Sequence, residues 1–136
     1  MNSAKSVGTC TLHVCTSCRT VGTPREPKEN RPGFLLYNEL REAFSKSPLK
    51  DKVKVLPAGC LSVCLRPCGI ALSSNGAWTY LFGDQLPNKT AQDILDCVSH
   101  YLETSNGFMA RENRPKALQR SILGRVPAIK EERPCT

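Results

Sequence analysis

Polar and apolar residues along this chain predict six elements. Thr11-Leu12-His13-Val14-Cys15 reads as a strand end on its β-branched and apolar content. Residues 19–33, RTVGTPREPKENRPG, hold prolines, glycines and charges and predict a loop. From Gly33 the period changes. Phe34, Tyr37, Leu40, Ala43 and Phe44 recur at helical spacing with Glu39, Arg41 and Glu42 between them, which predicts an amphipathic helix over 34–46 closed by Ser47-Pro48. Lys52-Val53-Lys54-Val55-Leu56 alternates with strand period and ends at Pro57 and Gly59. Gly69–Ser73 and Ala77–Phe82 flank Ser74-Asn75-Gly76, and Asn-Gly between two strand-like runs predicts a hairpin. Thr90 with Asp93 resembles a capping box, and Ala91, Ile94, Leu95, Val98, Tyr101 and Leu102 then form a second amphipathic helix stopped by Asn106-Gly107.

The expected architecture is α/β (α+β): a four-stranded mixed sheet in the order β-α-β-β-β-α. Residues 1–106 form the folded domain, and 107–136 follow as a basic C-terminal tail, partly helical or extended. Within that tail Leu118, Ile122 and Leu123 predict one short amphipathic helix between Pro115 and Gly124. There is no internal repeat.

Composition narrows the setting. A chain of 136 residues with 40% hydrophobic residues can build one core. No apolar run is long enough to span a bilayer, and MNSAKSVGTC lacks the apolar stretch of a secretory signal, so the expected location is cytoplasmic. Eight cysteines in a reducing compartment point to metal binding or catalysis rather than a disulfide framework. The net charge of +7 is concentrated towards the C-terminus, where seven Lys/Arg face three Glu over 107–136. Such a segment suits an acidic protein partner, or merely keeps the chain soluble. Only Phe108 offers a stacking ring there, which argues against nucleic acid.

The cysteines carry the candidate chemistry. Cys15-Thr16-Ser17-Cys18 ends the first strand, and Cys60 and Cys64 follow the second. A strand–helix–strand unit makes its two strands parallel, so their C-terminal ends share one edge of the sheet. Topology can therefore bring Cys15, Cys18, Cys60 and Cys64 together. Four thiolates suit a [2Fe–2S] cluster, in which each iron takes two cysteine sulfurs beyond the bridging sulfides, or a structural Zn2+ ion. Cys10-x4-Cys15-x2-Cys18 also matches the plant-type ferredoxin spacing, but a strand across those residues would hold Cys10 and Cys15 about 17 Å apart. C-x3-C is less usual than C-x2-C for zinc, which favours iron. A third reading, a thiol–disulfide oxidoreductase, needs its C-x2-C to open a helix, whereas a proline-rich loop follows Cys18 here.

The remaining candidates are weaker. Cys68 is a spare thiol near the site or an additional metal ligand, with Pro67 disturbing a shared helical turn with Cys64. Cys97 sits on a helix face as a small hydrophobe, and Cys10 and Cys135 are unconstrained. His13 and His100 lack ligand spacing. Trp78, Tyr80 and Phe82 share one strand face and read as core or homodimer contact. Arg19 and Arg66 flank the cysteine pairs, where positive charge would favour thiolates and a reduced cluster, or they are simply solvated loop arginines.

The segment VKVLPAGCLSVCLRPCGIALSSNGAWTYLFGDQLPNKTAQDILDCVSHYL, preceded by a strand ending in Cys and a helix, resembles the thioredoxin-like [2Fe–2S] ferredoxins over about residues 10–105. CTSCR, RPGFLLYNELREAF and ENRPKALQRSILGRVPA resemble, over nearly the whole chain, an uncharacterised family of bacterial proteins assigned to metal binding. The resemblance implies a thioredoxin-like fold, one [2Fe–2S] cluster and one-electron transfer to an unidentified redox partner protein, with no catalysis of its own. Cys60 and Cys64 match the ferredoxin C-x3-C ligands and Cys15 the ligand after the first strand. Cys18 departs from the pattern, since the ferredoxins place their second ligand further along. The basic charge is a second departure, many ferredoxins being acidic.

Overall fold

Strand β1 (Cys10–Cys15) lies inside a five-stranded sheet of order β2-β1-β3-β4-β5. The structure is a computed structural model that describes residues 6–17, 27–62 and 66–129. β2 (Val53–Ala58) runs parallel to β1, with Cys10 opposite Val53 and Cys15 opposite Ala58. β3 (Ile70–Ser73) and β4 (Thr79–Phe82) form the expected hairpin, β3 pairing antiparallel with β1 and β4. Asn75-Gly76 supplies its turn, Gly76 adopting φ +71, a conformation that L side chains rarely reach.

The expected four strands are five. Ile122–Val126 forms β5, antiparallel to β4, where a short helix was expected. Helical spacing of three apolar residues misled because only Leu118 is buried. It closes a single 3-10 turn, Lys116–Leu118, while Ile122 and Leu123 are half-buried on the sheet. β4 offered an open edge, and pairing satisfies backbone groups that a two-turn helix would leave half unbonded.

Helix α1 (Pro32–Ser45) begins with proline in its first turn, where a missing N–H costs nothing. Its buried stripe is Gly33, Leu36, Leu40 and Phe44, which is rotated from the expected one: Phe34 and Tyr37 are only half-buried and meet each other at 6.5 Å. Helix α2 (Ala91–Glu103) buries Ile94, Val98, Tyr101 and Leu102 of its expected stripe together with Cys97, while Ala91 and Leu95 are only half-buried. The capping box does not form. Thr90 occupies the N-cap, but its hydroxyl accepts the Leu86 N–H and donates to the Leu86 carbonyl.

Both helices pack on the face of the sheet that presents Leu12, Val14, Ile70, Leu72, Tyr80 and Phe82, all at most 2% exposed. Burying each large side chain contributes roughly 1.5–3 kcal/mol. Trp78 is only half-buried and stands apart from Tyr80 and Phe82, edge-on to Phe108 with Arg125 over both rings. Cys10, expected to be unconstrained, is a core residue at 6% exposure.

Residues 107–121 fold back onto this core. Tyr80 Oη accepts the Met109 N–H at 2.7 Å and donates to the Met109 carbonyl at 3.2 Å. Arg114, only 5% exposed, donates to the carbonyls of Leu118 (2.8 Å) and Met109 (3.1 Å) and lies 5.9 Å from the Tyr80 ring centre. Among the described residues, no helix is long and apolar enough to cross a membrane.

Candidate metal centre

Cys15 is the last residue of β1 and Ala58, its register partner, the last of β2. Because the strands are parallel, the chain leaves both at the same edge, and Cys60 lies two residues past Ala58. The loops are fastened as they leave. The Thr16 N–H and hydroxyl both donate to the Ala58 carbonyl, at 2.9 and 3.1 Å, and the Ser17 hydroxyl donates to the Gly59 carbonyl. The two residues between Cys15 and Cys18 are thus bonded to the two residues before Cys60. On the other side of β1, the Cys15 N–H donates to the Gly69 carbonyl at 3.0 Å, which brings the chain just after Cys68 to the same edge.

The two described cysteines of the expected site differ in setting. Cys15 is buried at 2% exposure, whereas Cys60 is exposed. The Ser62 N–H donates to Cys60 Sγ at 3.3 Å, with Ser62 held at φ +60. Cys68 is buried at 2% exposure, and its backbone exchanges two hydrogen bonds with Gln85: the Cys68 N–H donates to the Gln85 carbonyl at 3.3 Å, and the Cys68 carbonyl accepts the Gln85 N–H at 3.2 Å. Cys18, Cys64, Cys135 and Arg19 lie outside the described residues. Among the described residues no group of three or more His, Cys, Asp or Glu gathers as a metal site.

Among the described residues, Cys10 and Cys97 behave as packing thiols. Cys10 and Cys15 stand at opposite ends of β1, which rules Cys10 out of a compact site with Cys15 and removes the plant-type spacing as a reading. Burial pushes the Cys10 thiol up to about 12, and does the same to Cys97, with Arg114 pulling the other way. Cys97 Sγ faces Met109 Sδ at 3.8 Å.

Three features of this edge went unread in the sequence: the Ser62 N–H donor, the hydroxyl bridges of Thr16 and Ser17, and an ion pair at Arg66. Arg66 Nε donates to Asp84 Oδ2 at 2.9 Å, so its charge is paired with a carboxylate rather than simply solvated. Hydroxyl residues between two cysteines were the only legible signal among the three.

Residues 12–128 match a family described as "Protein of unknown function (DUF1636)". The chain belongs to this family. No curated protein matches it. Among solved structures, this DUF1636 chain is similar to a thioredoxin-like [2Fe–2S] ferredoxin from Aquifex aeolicus, with a TM-score of 0.56 and 18% identity, covering 90% of this chain and 98% of the ferredoxin. A second structure of the wild-type Aquifex aeolicus ferredoxin gives 0.54 and 17%, over 85% and 97% of the two chains. A cysteine-to-serine variant of the ferredoxin from the same organism gives 0.56 and 14%, over 85% and 98%. The likeness establishes a thioredoxin-like fold for the DUF1636 chain.

Proposed function

We propose that the chain is a one-electron carrier holding a single [2Fe–2S] cluster through Cys15, Cys18, Cys60 and Cys64. It passes electrons to a partner protein in the cytoplasm without catalysing a bond-making step of its own. One observation carries this reading: the hydrogen-bonded seam from Thr16 and Ser17 to Ala58 and Gly59, which joins the loops bearing Cys15 and Cys60 at one sheet edge. The similarity in fold to proteins described as [2Fe–2S] ferredoxins supports the choice of iron.

The donor set fits the group. Thiolate sulfur is the ligand such clusters take, and the Ser62 N–H at Cys60 Sγ is a contact that a metal-bound thiolate accepts well. A cluster there supplies reversible uptake of one electron. The chain's own residues set the conditions. Cys15, buried, keeps water from its sulfur, while exposed Cys60 marks the side from which a partner approaches. The Ser62 N–H draws negative charge from Cys60 and so favours the reduced state. Among the described residues Thr16 and Ser17 form a turn and the first α-helix begins at Pro32, and the proline-rich sequence after Cys18 argues against the helix-terminal activation of a redox-active disulfide.

Anaerobically purified protein tests the proposal by absorption and EPR spectroscopy with iron and zinc quantified. A red-brown protein with about two irons per chain and an EPR signal on reduction is expected. A colourless protein holding one zinc would replace the electron carrier with a redox-silent metal module.

A further inference from the structure

The arm of chain leaving the cysteine loop, Arg66 to Cys68, is laced to the segment just past β4. The Asp84 N–H donates to the Arg66 carbonyl at 3.0 Å, and Gln85 and Cys68 exchange their two backbone bonds beside it. Arg66 adds a side-chain strap to Asp84 and reaches the Arg120 carbonyl at 3.2 Å. Gly83 makes this approach close. A Cβ on it would lie 2.4 Å from the Arg66 carbonyl oxygen and 3.0 Å from Leu123 Cδ1. The Gly83 N–H in turn donates to the Ser121 carbonyl at 2.8 Å. Three segments distant in sequence therefore meet at one corner: Arg66 to Cys68, the end of β4, and the chain entering β5.

Stability alone does not explain the strap. The Arg66 and Asp84 side chains are 40% and 46% exposed, and ion pairs that exposed contribute little. What the strap fixes is place, because it ties the arm by a side chain, a carbonyl and a β-ladder-like pair at once.

Resting on the proposed metal centre, we infer that Arg66 and Asp84 are positioning residues for it. They hold the outgoing arm of the cysteine loop against the β4–β5 corner, so that the sulfurs stay gathered when the metal is challenged. β5 and the turn before it thereby act as a buttress for the site, which gives the C-terminal segment a role beyond solubility.

Asp84→Asn tests this cleanly. Asp84 sits at φ +57, where asparagine is well tolerated, so the substitution removes the charge and leaves the backbone. Iron release to a chelator, the reduction potential, and the melting temperature of the metal-free protein are read on wild type, Asp84→Asn, and the conservative Arg66→Lys. Asp84→Asn is expected to release iron about fivefold faster and to shift the potential, with the metal-free melting temperature nearly unchanged and Arg66→Lys, which keeps the charge pair, releasing iron closer to the wild-type rate. Release and potential equal to wild type in Asp84→Asn overturn the inference while the metal centre stands. A wild-type protein that holds no metal overturns both.

Discussion

Cys10 and Cys97 show what a cysteine does here when it only packs. Both are buried and pushed up to about 12 from an ordinary 9.0, because burial disfavours the thiolate. Their folded values lie above the unfolded one, so the stability they contribute is whole below pH 9 and is lost as pH rises towards 12. The urea midpoint of the metal-free protein should fall across that window, and more shallowly in Cys10→Ala/Cys97→Ala. An identical slope in the double variant would contradict this. Gly107 makes a different demand. It adopts φ +85, and a Cβ there would stand 2.9 Å from the Trp78 nitrogen and 2.9 Å from Tyr101 Cε1. Gly107→Ala should cost about 1–3 kcal/mol in denaturant unfolding. Arg114→Ala should cost about 2–4 kcal/mol, since it strips buried carbonyls of their donor; a loss below about 0.5 kcal/mol would mean that water replaces it.

At the scale of elements, legibility followed the strength of the local pattern. Helix α2, the β3–β4 hairpin and the end of β1 at Cys15 could be read because their apolar periods and turn residues lie within a few positions of one another. α1 was legible as a helix but not in its facing, since Phe34 and Tyr37 look as buried as Leu36 and are not. β5 could not be read. Ile122-Leu123-Gly124-Arg125-Val126 is an edge strand with its last three residues exposed, and its pairing partner β4 is some forty residues away. The Thr16–Ala58 and Ser17–Gly59 bonds, with |i−j| of 42, were invisible for the same reason, although parallel pairing of β1 with β2 foretold the meeting of their loops. The sheet order makes its own prediction for amide exchange. β1, β3 and β4, flanked on both sides, should exchange slowest and the edges β2 and β5 fastest. β5 amides as protected as those of β1 would mean that another chain covers that edge.

For the whole molecule, the thioredoxin-like fold explains how the segments that carry Cys15 and Cys60, some forty residues apart, leave the sheet at one rim. Parallel β1 and β2 deliver them, and the hydroxyl seam keeps the loops in step. The direct measurement is iron per chain in Cys15→Ser and Cys60→Ser, each alone, beside Cys97→Ser as a control outside the site. If one centre spans both loops, each of the first two substitutions abolishes the EPR signal and most of the iron, and the control retains both. Full iron and an unchanged spectrum in either Cys15→Ser or Cys60→Ser would contradict a centre shared between the two loops.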